Sequence, residues 1–468
     1  MSNLDRRDLE IVLRHDLVSF IQRSFQTVAP AQVYRHNWHI EAIAWHLERC
    51  LAGDIKRLII TVPPRHLKSI CASVAVPAWA LGRDPALRII AASYSAGLAR
   101  KHAVDCRAVM EADWYHRTFP RTHIHPDKNT ELEVMTTHQG FRLATSVGGT
   151  LTGRGGNLIL IDDPMKPEEA MSESSREAAK RWYDGTLYSR LDDKAEDSIV
   201  IIMQRLHVDD LVGHVLEQEP WVHLDLPAIA EAPQRVQVGP GRYIHRAPGD
   251  LLHAERESKT GLDAIKATLG SYNFSSQYQQ RPVPAGGALI KWRWFGKYRE
   301  PPAPGRNDRV IQSWDTASKA GEINDFSVCT TWRERGSSYH LIDVVRARLE
   351  YPDLKRRVLA EAVRHHAQVV LIEDKGSGTH LIQDLRQDGL IRPIAILPEG
   401  DKVTRMAAQT AKIEAGHVLL PEQASWLQDF QTEILQFPNG RHDDQVDSLS
   451  QFLAWATRPL AEPRIRCL

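Results

Sequence analysis

Two sets of residues in this 468-residue chain have the types and spacing to act on phosphate. The first begins with Lys68 and Ser69, which end the stretch TVPPRHLKSI (61–70) as a phosphate-binding loop of the pattern G-x-x-x-x-G-K-[ST] would end. Both glycines of that pattern are missing, and Val62 and Leu67 stand in their places. Lys68 would offer a point charge to phosphate oxygens and Ser69 a hydroxyl to a magnesium ion. A helix N-terminus would add backbone N–H groups and the positive end of its dipole. An ordinary strand-to-helix loop with an incidental Lys-Ser is the alternative. Pro63 and Pro64 can set φ where glycine would leave it free. Leu67, with no glycine's freedom, is expected in the right-handed region.

Further along, NLILIDDP (157–164) is an apolar run ending in Asp162 and Asp163. Carboxylates at the end of a buried strand suit a magnesium site beside a phosphate-binding turn. Asp162 would hold Mg²⁺ through water, and Asp163 would orient the attacking water as general base. Capping of a following helix is the plainer use of such a pair. In GGTLTGRGG (148–156), Arg154 could enter a phosphate pocket, its own or a neighbouring subunit's, or could be a solvated loop arginine. In SIVIIMQRLHVDDL (198–211), Gln204 and Arg205 end a strand where a polar residue could sense a γ-phosphate. Asp209 and Asp210 read as that sensor's neighbours or as helix caps, a cap being the stronger reading for Asp209.

The second set is a group of carboxylates. Asp315 ends RVIQSWDTA, Glu373 and Asp374 end VVLIED, and Asp443, Asp444 and Asp447 open RHDDQVDSLSQFLAWA. Oxygen ligands from two strand ends and a helix start can converge on a pair of Mg²⁺ or Mn²⁺ ions for phosphodiester hydrolysis. Asp443 and Asp444 could instead merely favour a helix N-terminus through its dipole. Lys375 could meet a DNA phosphate or be a solvated lysine, and Asp325 could assist the metals.

Positioning these groups takes two α/β blocks. The first, about residues 30–230, carries the apolar runs RLIITV, LRIIAASYS, FRLATSV, NLILIDD and SIVIIMQRL with helical segments between several of them. Such runs imply a mainly parallel sheet covered on both faces. A helix is expected from near Lys68. The second block begins near 305 with three strands in succession, then alternates helices and strands and closes with two helices. That is the element order of an RNase H-like fold. The proline- and glycine-rich stretch between them reads as loops or a small linker.

Lys plus Arg equals Asp plus Glu at 59 each, so a polyanion would be met by local patches or through metals. The five cysteines are scattered and form no C-x-x-C, which points to a reducing compartment and away from structural zinc. No apolar run is long enough for a membrane span and MSNLDRRDLE is no signal peptide, so a cytoplasmic protein is expected.

The order of these motifs resembles the large subunit of the tailed-phage terminase, over about residues 30–455. PPRHLKS is similar to that family's PPR-x-x-KS loop, RLHVDDL to its R-W-H-x-D-D-L segment with Leu206 for Trp, and HDDQVDSLS to its closing nuclease motif. The resemblance implies an ATP-driven DNA-packaging motor joined to an endonuclease that cuts concatemeric phage DNA. It implies α/β architecture: a P-loop NTPase domain of the ASCE type at 1–230, a linker at 231–304 and an RNase H-like nuclease domain at 305–468. By the same resemblance Arg65, Lys68, Ser69, Asp162, Asp163 and Gln204 serve ATP and its Mg²⁺, and Arg154 matches an arginine finger. Trp38 and His39 are the adenine-side candidates. Asp315, Glu373 and Asp444 match the nuclease metal ligands, with Asp443 and Asp447 beside them. Gln204 departs from the family, where many members carry Thr or Ser. Implied partners are double-stranded DNA, a portal protein, a small terminase subunit and further copies in a ring, usually a pentamer, in the host cytoplasm. A helicase–nuclease and an inactive prophage-derived DNA-binding protein are the alternatives. The first would be expected to carry a second motor lobe, for which the chain has no room.

Overall fold

The computed structural model describes residues 6–151, 153–282, 289–316, 326–438, 440 and 442–456. Asp325 lies outside them. The chain divides into two compact units, 1–265 with 273–283, and 266–272 with 284–468. The stretch 231–304 is shared between them.

The first unit is built on an eight-stranded sheet. Its strands are β1 (Arg57–Thr61), β2 (Arg88–Ser93), β3 (Ile124–Asn129), β4 (Glu133–Thr136), β5 (Phe141–Ser146), β6 (Leu158–Asp162), β7 (Ser198–Met203) and β8 (Val222–Asp225). Their order is β3-β4-β5-β2-β6-β7-β1-β8, parallel from β5 to β8 and antiparallel from β3 to β5. The central strands are apolar along their middles because both faces are covered. Leu58, Ile60, Leu158, Leu160, Val200 and Ile202 enter one core, and Ile59, Ile159, Ile161, Ile199 and Ile201 the other. β7 lies between β1 and β6, so Gln204, Asp162 and the turn after β1 all emerge at one edge of the sheet. The helical run begins at Lys68, passes through a π-helical stretch Ile70–Ala75 and continues as an α-helix over Val76–Arg83. A hairpin of β9 (Gln234–Gly239) and β10 (Arg242–Arg246) replaces the loop expected there.

The second unit holds a seven-stranded sheet of β11 (Gly296–Tyr298), β12 (Arg309–Asp315), β13 (Ser327–Arg335), β14 (Ser338–Ala347), β15 (Val369–Glu373), β16 (Ile394–Ile396) and β17 (Val418–Pro421). The order is β11-β17-β14-β13-β12-β15-β16. β12, β13 and β14 form the expected antiparallel meander, and β15 and β16 extend it in parallel from β12. One face is covered by the helices Tyr351–Arg364 and Ser377–Asp388, through Leu354, Val358, Leu381 and Leu385. The helix Asp444–Ala456 is fastened to β12 and β13 by small polar groups. Ser448 Oγ lies 2.7 Å from the Ser313 carbonyl oxygen, and Ser313 Oγ donates to the Ser448 carbonyl at 2.8 Å. Trp332 stacks on Phe452 with ring centroids 4.6 Å apart. Serines allow this close approach, and they set the height of Asp444 and Asp447 above the sheet edge.

Candidate nucleotide and metal sites

The turn after β1 reaches phosphate-loop geometry without glycine. Leu67 has φ of 62° and Arg65 φ of 65°, so the right-handed backbone expected of Leu67 is not what forms. The chain must turn from β1 into the helix within a few residues, and both side chains accept left-handed strain of about 1–2 kcal/mol each to do so. Leu67 is held there by packing against the main core, while Arg65 is exposed.

Lys68, 6 % exposed, extends from this turn to the edge where β6 and β7 end. Its Nζ lies 2.9 Å from Asp163 Oδ1 and donates to Gln204 Oε1 at 3.0 Å. Asp163 is itself at positive φ, 45°. Asp162 is fully buried. Its Oδ2 accepts from Ser73 Oγ at 2.8 Å and lies 3.5 Å from His102 Nδ1, while Oδ1 has no hydrogen-bond partner among the described residues. Burial raises both carboxyls above the usual carboxylate range; the Lys68 charge opposes this, and for Asp163 the Asp162 charge adds to it. An orphaned carboxylate oxygen behind a buried lysine, close to the Ser69 hydroxyl in the same turn, suits a hydrated divalent cation.

Lys68, Ser69, Asp163, Gln204, Arg65 and His39 all line one cavity of about 740 Å³, a size suited to a nucleotide. Gln32, Val33, Arg35, Tyr94, Lys101 and Arg256 line it as well. They escaped sequence reasoning because none belongs to a motif, although the segment 29–35 lies just upstream of the adenine-side candidates. Trp38 is a correction: it does not line the cavity but packs against the core, with Arg246 5.6 Å over its ring. His39 lines the cavity with its ring nitrogens engaged, Nδ1 by Asn37 Nδ2 at 2.5 Å and Nε2 by the His66 carbonyl at 3.3 Å.

Arg154 is not brought to this cavity. Its guanidinium meets both Glu133 oxygens, at 2.7 and 2.6 Å, and lies 5.2 Å over the Phe141 ring. The caps also fall differently from expectation. Asp210, not Asp209, caps the helix Leu211–Gln218, accepting from Gly213 N at 3.0 Å, while Asp209 pairs with Lys180 and Arg176. Arg205 is fixed to Asp210 by Nε at 2.9 Å, which leaves Gln204 as the strand-end residue facing Lys68.

In the second unit, Asp315 ends β12, Glu373 ends the parallel β15, and Asp444 and Asp447 lie in the first turn of the closing helix. β12 and β15 are parallel neighbours, so Asp315 and Glu373 emerge at the same end of the sheet. Burial, then the charges of Asp447, Glu373 and Asp444, holds the Asp315 carboxyl well above the ordinary range. Glu373 is raised by burial, with Asp447 adding and Arg405 opposing. Asp444 is pushed up to about 6 by burial and then by the charges of Glu433 and Asp443. So many carboxylates cannot all ionise together without a cation.

Two side chains that sequence reasoning missed supply part of that charge. Lys402 Nζ lies 2.6 Å from Asp443 Oδ1 and 2.8 Å from Asp447 Oδ2, and Arg405 lies 2.7 Å from Asp447 Oδ1. An ammonium within a nest of hard oxygen ligands marks the kind of place a divalent ion fits. Lys375 makes a backbone turn with Glu373 and carries no side-chain hydrogen bond or ion pair among the described residues.

Residues 312–455 match the family model described as the terminase RNaseH-like domain. No curated protein is similar enough in sequence to match the chain. Among solved structures, the large terminase of a thermophilic bacteriophage (crystal form 2) is 11 % identical over 91 % of this chain and 99 % of that one, with a TM-score of 0.53. The same phage's terminase in complex with ADP is 10 % identical over 89 % and 98 %, with a TM-score of 0.52. In complex with ATP-gamma-S it is 11 % identical over 89 % and 98 %, with a TM-score of 0.51. Residues 312–455 therefore match the terminase RNaseH-like domain, within a chain whose fold is similar to that of a phage large terminase.

Proposed function

We propose that this protein is an ATP-driven translocase of double-stranded DNA joined to a metal-dependent endonuclease, the large subunit of a phage DNA-packaging machine. The observation that carries the reading is one chain with two phosphate-handling constellations: Lys68 with Asp163 and Gln204 at one sheet edge, and Asp315 with Glu373, Asp444 and Asp447 at another. The thermophilic phage's terminase, solved in complex with ADP and with ATP-gamma-S on the same fold, supports nucleotide use.

In the first unit Lys68 and the N–H groups of the turn from Arg65 hold the ATP phosphates, with Ser69 and Asp162 the residues that would hold Mg²⁺. Asp163 takes the proton of the attacking water, and its link to Lys68 lets the same lysine fix both phosphate and base. Gln204 shares Lys68, so loss of the terminal phosphate changes the partners available to it. Arg154 acts on a phosphate only after leaving Glu133, in this subunit or a neighbour. In the second unit Asp315, Glu373 and Asp444, with Asp443 and Asp447, would hold a pair of Mg²⁺ or Mn²⁺ ions. When bound, such ions supply an activated water and offset charge on the phosphodiester. The carboxylates arrange the strand for in-line attack. Cutting would separate unit-length DNA from a concatemer at the start and end of packaging. The portal, a small terminase subunit and a ring of copies in the host cytoplasm follow from the same reading.

The test is Mn²⁺-dependent plasmid cutting by the parent protein and Asp315→Ala, with ATP turnover of Lys68→Ala measured in parallel. Loss of cutting in the first and of turnover in the second is expected. Parental cutting by Asp315→Ala would overturn the nuclease, and parental turnover by Lys68→Ala the motor.

A further inference from the structure

Strand register places a second feature beside the carboxylates. Asp315 on β12 stands opposite Val328 on β13, and Val328 opposite Arg346 on β14. Residues directly opposed in antiparallel strands project to the same face about 4.5–5.5 Å apart. Arg346 therefore lies on Asp315's face, about 10 Å away across one intervening strand. One step beyond the last paired residues, Ser327 and Ala347, the chain places Phe326 and Arg348. Side chains alternate along a strand, so both return to that face.

These groups meet. The Phe326 ring centroid is 4.0 Å from Arg346 Cζ and 4.4 Å from Arg348 Cζ. The ring of His442, two residues before Asp444, meets it edge-on at 5.4 Å. Neither arginine makes a hydrogen bond or ion pair to the metal-site carboxylates among the described residues. Arg348 is exposed and makes no hydrogen bond or ion pair among the described residues. Arg346 has only a 3.8 Å approach to Glu433, and its Nε lacks a hydrogen-bond partner. Glu433 is itself engaged, accepting from the Gln445 backbone N and side-chain Nε2, both at 2.6 Å.

Two guanidiniums stacked on one aromatic ring are oriented by it, Arg348 being the exposed one, and a planar N–H fork matches a phosphodiester better than a lone point charge does. We propose that Arg348 and Arg346, oriented by Phe326 and His442, seat a phosphodiester of the DNA strand next to the one cut at Asp315, Glu373 and Asp444. These are positioning residues. They bring a backbone of the right charge to the edge where the carboxylates converge, and they compensate for a chain with no net positive field. The inference rests on the nuclease reading and names how that site holds its substrate.

The experiment uses the full chain with linear double-stranded DNA. Retention is measured with Ca²⁺ in place of Mn²⁺, over a range of salt concentrations, and cutting is measured with Mn²⁺. Arg348→Ala is expected to bind DNA about tenfold more weakly, and the slope of log affinity against log salt should fall by about 1. Its KM for DNA should rise more than its kcat falls. Arg348→Lys should recover the salt slope without the full affinity, because it restores the charge and not the stacked fork. Parental affinity and slope in both Arg348→Ala and the Arg346→Ala/Arg348→Ala pair would overturn the proposal. Asp315→Ala separates the two ideas through cutting alone, which it should lose. Parental cutting by that variant would remove the nuclease reading, while DNA retention would still decide the role of the arginines.

Discussion

The Lys402 ammonium is shared by two aspartates of the closing helix, 2.8 Å from Asp447 and 2.6 Å from Asp443. Burial works against its charge, but Asp447 and Asp443 more than offset this and raise its affinity for the proton. Lys402 is thus a built-in cation for a carboxylate nest. Replacing it by alanine should destabilise the metal-free protein by about 1–2 kcal/mol, a modest figure because solvent screens a half-exposed lysine. Added Mn²⁺ should then stabilise Lys402→Ala more than the parent. Denaturation with and without Mn²⁺ checks this, and an equal gain in both proteins would contradict it.

Asp444 gives the nuclease unit a pH dependence whose sign follows from its raised value of about 6 against 3.8 for a free aspartate. The folded state binds this proton more tightly than the unfolded state, so its stabilising effect is full at low pH. It is lost as pH rises through about 4 to about 6. Without divalent ions the parent should therefore lose stability relative to Asp444→Asn over that interval. Denaturant titrations in chelator at several pH values would reveal a constant difference if Asp444 were not responsible.

Leu67 and Arg65 carry left-handed strain in the phosphate turn. Leu67→Gly removes about 1–2 kcal/mol of strain while losing apolar packing, so stability should change by less than about 1 kcal/mol and ATP turnover should persist. Leu67→Val puts a β-branched residue at the same positive φ and should lower both. Comparison of melting temperature and turnover for the two variants decides it.

Arg205 and Asp210 form a pair with side chains only 11 % and 1 % exposed, and Asp210 also caps the following helix. Removing either partner leaves the other charge buried. Arg205→Ala and Asp210→Ala should each cost about 3 kcal/mol, and the double variant should cost less than their sum. A double-mutant cycle by urea denaturation measures the coupling, and additive losses would rule it out.

Some of this architecture is legible in the residues because its causes are local. Apolar runs such as NLILIDD become strands covered on both faces, and a carboxylate written at the end of such a run must emerge at the sheet's edge. Asp162, Asp315 and Glu373 stand there for that reason. Asp209 and Asp210 are not separable in this way, since both are competent caps and the choice depends on which one Lys180 and Arg176 draw away. Nothing local ties down Arg154, because Glu133 reaches it only through the antiparallel pairing of β4 with β5.

By itself the sequence determined which groups could handle phosphate and which strands would present them, for periodicity and strand ends are properties of a few consecutive residues. Only the tertiary structure decided how their charges are shared. Lys402 and Arg405 meet Asp447 across some forty positions, Lys68 meets Gln204 across 136, and Arg346 reaches Phe326 through strand register. Leu67 shows the same division. Its place in the motif was written in the chain, but its left-handed backbone came from the short path between β1 and the helix and from the core that holds the side chain.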